Sequence, residues 1–257
     1  MSRTVKQILY GTLYLAILSV IGWWVYSVTL APAPSCFDNT QNGGETGVDC
    51  GGPCISCEIK HLQPLSIGPG LLLGSDRVFS ATAEVTDPND AYSARSFAYS
   101  VTFSDANGTV LQTVDQIGFL YAGQTKDLIV AGVGIANGIP VKATFGMDPA
   151  SAVWAKSADF SEPIYELTNP TATISGTQML ITGTIINPNN IPISTIRLGA
   201  FAVDNLGMKI GASTTILQNL GQFRQQTFQI TVPLQKNILG SVDLQASATS
   251  IEVQALQ

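Results

Sequence analysis

All four cysteines of the chain, Cys36, Cys50, Cys54 and Cys57, lie in one 22-residue stretch, and they are the residues best placed to do chemistry. Thiols at this spacing could form disulfides, a four-cysteine zinc site, or a redox pair at Cys54-x-x-Cys57. Zinc ribbons use two C-x-x-C knuckles, and only one is present. The redox motif belongs beside a βαβ unit, which the Gly-rich surroundings do not offer. An even count at close spacing therefore reads as two disulfides in an exported protein, with three pairings open. Four oxygen donors are interleaved with the sulfurs: Asp38, Asn42, Glu45 and Asp49. Oxygen ligands in a tightly folded Gly loop could hold calcium, although their spacing is not the alternation of an EF-hand. The plainer reading is a set of solvated acids in a cross-linked loop.

Beyond that stretch the sequence offers little reactivity. His61 is the only histidine, so no histidine-based metal site or triad can be assembled. No H-E-x-x-H, G-x-S-x-G or Walker pattern occurs. Asp105-Ala-Asn107-Gly108 lacks the later ligands of a calcium loop and reads as a hairpin turn. Asn107-Gly-Thr109 is a formal glycosylation acceptor, and Trp154 reads as a core residue. No catalytic or cofactor-binding residue is assigned, and the chain is expected not to be an enzyme.

The elements that must carry these residues begin with an anchor. Ile8–Leu30 is a 23-residue run without a charge, preceded by Arg3 and Lys6. Such a run is long enough to cross about 30 Å of hydrocarbon. The basic flank predicts a cytoplasmic N-terminus and an outside C-terminal ectodomain, extracellular or periplasmic. A cleaved signal peptide is the rival, since Ala31-Pro-Ala33 offers an A-x-A pattern, but the apolar run is too long and Pro34 follows the cut. Trp23, Trp24 and Tyr26 suit an aromatic belt at the outer interface. A lipid anchor on Cys36 lacks the usual leucine and small residues before it. After the anchor come ten Lys/Arg and all eighteen Asp/Glu, a formal charge of −8. Nucleic acid is thereby excluded as a partner, because it needs a cationic face.

The remaining chain repeats itself at about one hundred residues. Ala83-Glu-Val-Thr-Asp87-Pro88-Asn89-Asp90 matches Gly183-Thr-Ile-Ile-Asn187-Pro188-Asn189-Asn190. Val101-Thr-Phe103-Ser-Asp105 matches Ala200-Phe-Ala202-Val-Asp204 at an offset of 99, and Leu120, Leu128 and Val130 return to offset 100 at Leu220, Phe228 and Ile230. Phe97, Tyr99, Val101 and Phe103 alternate with small polar residues, the period of a half-buried strand. Short strands with regular turns predict two tandem β-sandwiches.

Two resemblances attach to these residues. Residues 36–57 closely resemble a small cysteine-rich motif of secreted and surface-bound bacterial proteins, C-x-D-x-x-x-N-x-x-E-T-x-x-D-C-G-G-x-C-x-x-C. The strand, Asp-x-x-Gly turn, strand and polar Gln/Thr stretch are similar to the FxLYD-type immunoglobulin-like domain. The related LEA14-type domain shares the Asn187-Pro188-Asn189 turn. That likeness implies a seven-stranded immunoglobulin-like sandwich with no inter-sheet disulfide and no catalytic residues.

The expected organisation is all-β after one transmembrane helix: a cytoplasmic tail at 1–7, an anchor at 8–30, a cysteine-rich collar at 31–58, and immunoglobulin-like sandwiches at 59–162 and 163–257. The expected function is a single-pass cell-surface protein with a structural, adhesive or protein-binding ectodomain. A membrane subunit of a secretion or pilus assembly is the alternative, with Gly11 and Gly22 permitting helix contacts. A calcium-stabilised surface module is a further one.

Overall fold

The computed structural model describes residues 3–27, 35–75, 77–204, 206–234 and 249–256. They divide into two compact units, Met1–Leu62 and Gln63–Gln257.

The first unit opens with helix α1, Arg3–Val25. It begins a turn before the uncharged run because nothing between Arg3 and Gln7 breaks a helix. At 1.5 Å per residue it is about 35 Å long, enough to cross a bilayer. None of its residues is buried, so its apolar side chains have no protein core to occupy. Thr12 and Ser19 donate back to the Ile8 and Leu15 carbonyls, which satisfies both hydroxyls within the helix. Val28–Leu30, the end of the expected anchor, and the Ala31–Pro34 segment fall outside the described residues. The collar follows from Ser35 and ends in a short helix α2, Cys57–Lys60.

The second unit holds both repeats. In the first, β3 (Val78–Thr86) has β1 (Ser66–Ile67) and β2 (Leu71–Ser75) along one edge and β6 (Thr125–Gly134) along the other. Facing it, β4 (Tyr92–Ser104) lies between β5 (Val110–Leu120) and the pair β7 (Lys142–Met147) and β8 (Val153–Lys156). A turn of 3-10 helix at Pro149–Ser151 interrupts β7 and β8. In the second repeat β10 (Gln178–Ile186) lies between β9 (Glu166–Ser175) and β13 (Gln225–Pro233). The opposing sheet has β11 (Ile193–Val203) between β12 (Lys209–Leu220) and β14 (Thr249–Leu256). Both repeats are thus sandwiches of the same order, three strand positions against three among the described residues.

Alternation places the core as the sequence predicts. Phe97, Tyr99, Val101 and Phe103 are buried in the first core with Leu120, Leu128 and Val130. Leu198, Ala200 and Ala202 are buried in the second with Leu220, Phe228 and Ile230. Trp154 packs against the first core. Both Asp-x-x-Gly turns close alike: Asp105 Oδ1 accepts from the N–H groups of Asn107 and Thr109, and Asp204 Oδ1 from those of Leu206 and Met208. Gly108 and Gly207 supply the positive φ, +82° and +79°.

The two sandwiches pack on one another without sharing a sheet among the described residues. Leu73, Phe201 and Ala212 form a small buried cluster between them, backed by Ile129 and Val203. Phe201 lies between core residues Ala200 and Ala202, so by strand alternation it points away from its own core and toward the first repeat. Ser80 and Thr82 are likewise buried on the outer face of β3.

Candidate functional site

The collar gathers the cysteines as two disulfides, Cys36–Cys54 and Cys50–Cys57. No free cysteine remains, and Cys54 and Cys57 pair with Cys36 and Cys50 instead of with each other. With few apolar groups available, these cross-links restrict the unfolded chain and so carry much of the segment's order.

The four oxygen donors organise backbone around the disulfides. Asp49 is buried and takes φ +51°, and its Oδ1 accepts from the N–H groups of Asp38 and Asn39 at 2.9 and 3.0 Å. Lys60 Nζ lies 3.6 Å from Asp49 Oδ2. Asp38 accepts from Asn42 Nδ2 and from the N–H groups of Thr40 and Ser35. The Asn42 amide, helped by those N–H groups, holds the Asp38 carboxyl below its ordinary value. Glu45 Oε2 accepts from the N–H groups of Asn42 and Asp49. Its Oε1 sits 3.1 Å from Cys54 Sγ, a contact only, since a disulfide sulfur has no proton to donate.

Calcium needs six to eight oxygens converging on one point. Here Asp38, Glu45 and Asp49 each accept from at least one backbone N–H, while Glu45 Oε1 faces the Cys54 sulfur. Among the described residues, the one close group of metal-ligand types is Cys36, Glu45 and Cys54, and both of its sulfurs are tied in one disulfide. Asn42 Oδ1 is buried with no protein partner. His61 sits at the end of α2 against the Cys57 carbonyl.

The sandwich unit contributes two features that the sequence did not announce. A groove of about 850 Å³ runs past Tyr99, Asp115, Ile117, Met147, Asp148 and Arg197. Burial raises the Tyr99 hydroxyl, against a lowering by the nearby Arg197 charge. The groove brings Arg197 from the second repeat against the first, which strand alternation alone does not reveal. The second feature is polar: Lys209 pairs with Asp127 across the repeats and lies 4.1 Å from the Phe201 ring centre. Ser80 Oγ also donates to the Ala212 carbonyl at 3.0 Å.

The Asx-Pro-Asn turns have an identifiable task. Asn89 Nδ2 donates to the Gln63 carbonyl, and Asn189 Nδ2 to the Ile164 carbonyl. Each turn therefore clamps the chain segment leading into its own sandwich.

No family model matches the chain, and no curated protein matches it. Among solved structures it is similar to a transglutaminase of red sea bream, at 10% identity and TM-score 0.23, over 76% of this chain and 29% of that one. It is also similar to two glycosyl hydrolase family 2 structures from Bacteroides cellulosilyticus, at 10% identity and TM-score 0.25. Those matches cover 69% of this chain and 25% and 26% of theirs. The chain spans less than a third of each of these proteins, and likenesses this shallow carry no argument about activity.

Proposed function

We propose that the protein is a single-pass membrane-anchored surface protein whose ectodomain works by binding or spacing, without catalysis. The observation that carries this reading is α1, an apolar helix with no buried residue, followed by a disulfide-held segment and two β-sandwiches. The disulfides fit an oxidising compartment, which favours a location outside the cytoplasm for the residues after the anchor. Sandwich modules of this kind offer end loops and edge strands to a protein or cell-surface partner. The FxLYD-like and LEA14-like resemblance of the repeats, and the bacterial cysteine-rich motif before them, point the same way. The test is the full-length protein in cell membranes. It should resist alkaline extraction, retain peptides from before Ala31 by mass spectrometry, and expose the sandwiches to protease added from outside. A mature N-terminus at Pro34 would remove the anchor reading.

A further inference from the structure

The two repeats differ at one end in a way their shared fold does not require. Phe223 adopts φ +54°, a left-handed conformation that costs a bulky residue steric strain. The first repeat has Gly123 at the same place, with φ +66°. Phe223 is nevertheless 69% exposed, so the strain serves no packing within the sandwich. Two further exposed apolar residues are tied to the same Asn187–Asn189 turn. Phe223 donates its N–H to the Asn189 carbonyl, Asn187 Nδ2 donates to the Ile191 carbonyl, and Asn189 Nδ2 holds Ile164. Ile164 is 67% exposed and Ile191 41%. The corresponding places in the first repeat are Gly123, Ala91 and Gln63, so only the second repeat builds an apolar tip. The loops 187–191 and 221–224 contain no carboxylate and one cation, Arg224, whereas Ile164 lies between Glu162 and Glu166.

This tip lies at the end of the sandwich unit where the chain from the anchor enters. Gln63 is clamped by Asn89 at that end. The linker after β8 returns there, with Glu162 bonding Gln124 and Lys126. We propose that Ile164, Ile191 and Phe223 form a membrane-contact patch. Their side chains enter the interfacial zone of a zwitterionic phospholipid bilayer, and Arg224 meets the lipid phosphates. An aromatic ring with aliphatic neighbours and a cation is the composition such an interface takes up. The net charge of −8 favours a neutral lipid surface over an anionic one. The inference rests on the reading of α1 as an anchor.

The full chain carrying Gln222→Cys, reconstituted in phosphatidylcholine liposomes, tests it. The native cysteines are all in disulfides, so a nitroxide reacts at residue 222 alone. The label should lose its relaxation by an aqueous nickel chelate and stay accessible to oxygen. A label at Asn107→Cys, in the turn at the opposite end, should remain open to nickel. Adding Phe223→Gly should return residue 222 to water while Tm rises by about 2–4 °C as the left-handed strain is removed. A nickel-accessible residue 222 in a membrane-integrated chain overturns the patch and spares the anchor. Protection that survives Phe223→Gly also overturns it. Failure of the chain to integrate removes the anchor reading and this proposal with it.

Discussion

In the second sandwich Asn187 directs its amide nitrogen at three carbonyls, those of Ile191, Leu220 and Gly221, at 2.9–3.1 Å. In the first, Asp87 stands at the same point of the same turn. Both side chains accept on Oδ1 from the asparagine two residues on, Asn89 or Asn189. Both backbones also bond alike, Asp87 N–H to the Gln124 carbonyl and Asn187 N–H to that of Arg224. What differs is the second side-chain atom. Asn187 has a donor there, whereas Asp87 has Oδ2, which is buried and unpartnered. Two copies of one fold thus tie the same loops, one with a fixed donor and one with an atom that can donate only when protonated.

The repeats differ again across their outer faces. Phe201 occupies a position of β11 that in β4 is Thr102, as the 99-residue offset shows. Phe201 is fully buried against the first repeat, while Thr102 is only half-buried and bonds Thr113. The joint therefore depends on a single aromatic at a place where its twin carries a hydroxyl. Phe201→Ala should have the largest effect, about 3–5 kcal/mol of stability, because the cavity opens between two sheets that cannot both collapse onto it. Denaturant unfolding of the full chain would measure it. If the sandwiches are coupled through this joint, the variant should separate one transition into two. A change below about 1 kcal/mol would mean that the repeats stand independently.

Much of this comparison was legible in the sequence. The offset from Asp87-Pro-Asn89 to Asn187-Pro-Asn189 marked the repeat, and alternation from Phe97 to Phe103 marked the core face. The shift from 100 to 99 and back marked single-residue insertions on either side of the Asp-x-x-Gly turn, and β4 slips register between Ala94 and Phe97. Less legible was the meaning of Phe201. Alternation showed that it faced away from Ala200 and Ala202, but nothing local says that a second sheet covers that face. The collar behaved similarly. Its four oxygen donors were visible as ligand types, but a carboxylate accepting from backbone N–H groups and one awaiting a cation have the same spelling. What the sequence does not show is which backbone groups those carboxylates reach, such as Asp49 with the N–H groups of Asp38 and Asn39, ten or eleven residues away.

Exchanging the two buried side chains sharpens the comparison at the next level. Asn187→Asp would aim a carboxylate at three carbonyls and should cost about 1–3 kcal/mol near neutral pH. Asp87→Asn should do the reverse and stabilise the protein. Burial raises the Asp87 carboxyl above its ordinary value, and N–H groups of Asn89 and Ala94 lower it, while Asp90 is the neighbouring charge that raises it. An acid with a raised folded-state pKa favours folding below its unfolded pKa of 3.8, and that contribution is lost as pH rises through the folded value. The gain from Asp87→Asn should therefore be absent in acid and appear above the folded pKa. Thermal melts of the natural chain and both variants across pH 3–8 would show this. A pH-independent difference for Asp87→Asn would mean that Asp87 titrates normally.

The smallest effect is expected where the first repeat holds the linker and the second has no counterpart. Glu162 accepts from Lys126 Nζ at 3.1 Å and also bonds Gln124 Nε2. The ion pair is partly exposed, 16% for Lys126 and 29% for Glu162, so water and salt screen most of its Coulomb attraction. The neutral linker contacts survive its loss: Ser93 Oγ still donates to the Phe160 carbonyl, and the Phe160 ring still stacks on Tyr121 at 4.9 Å. Glu162→Gln keeps the shape and the bond to Gln124 while deleting the charge. It should cost less than about 1 kcal/mol, and that cost should fade at high salt. A salt titration of the two melting temperatures would measure it. A large, salt-independent loss would mean that Glu162 works through shape and hydrogen bonding at the linker, making it a structural wedge between the repeats instead of an electrostatic clamp on one of them.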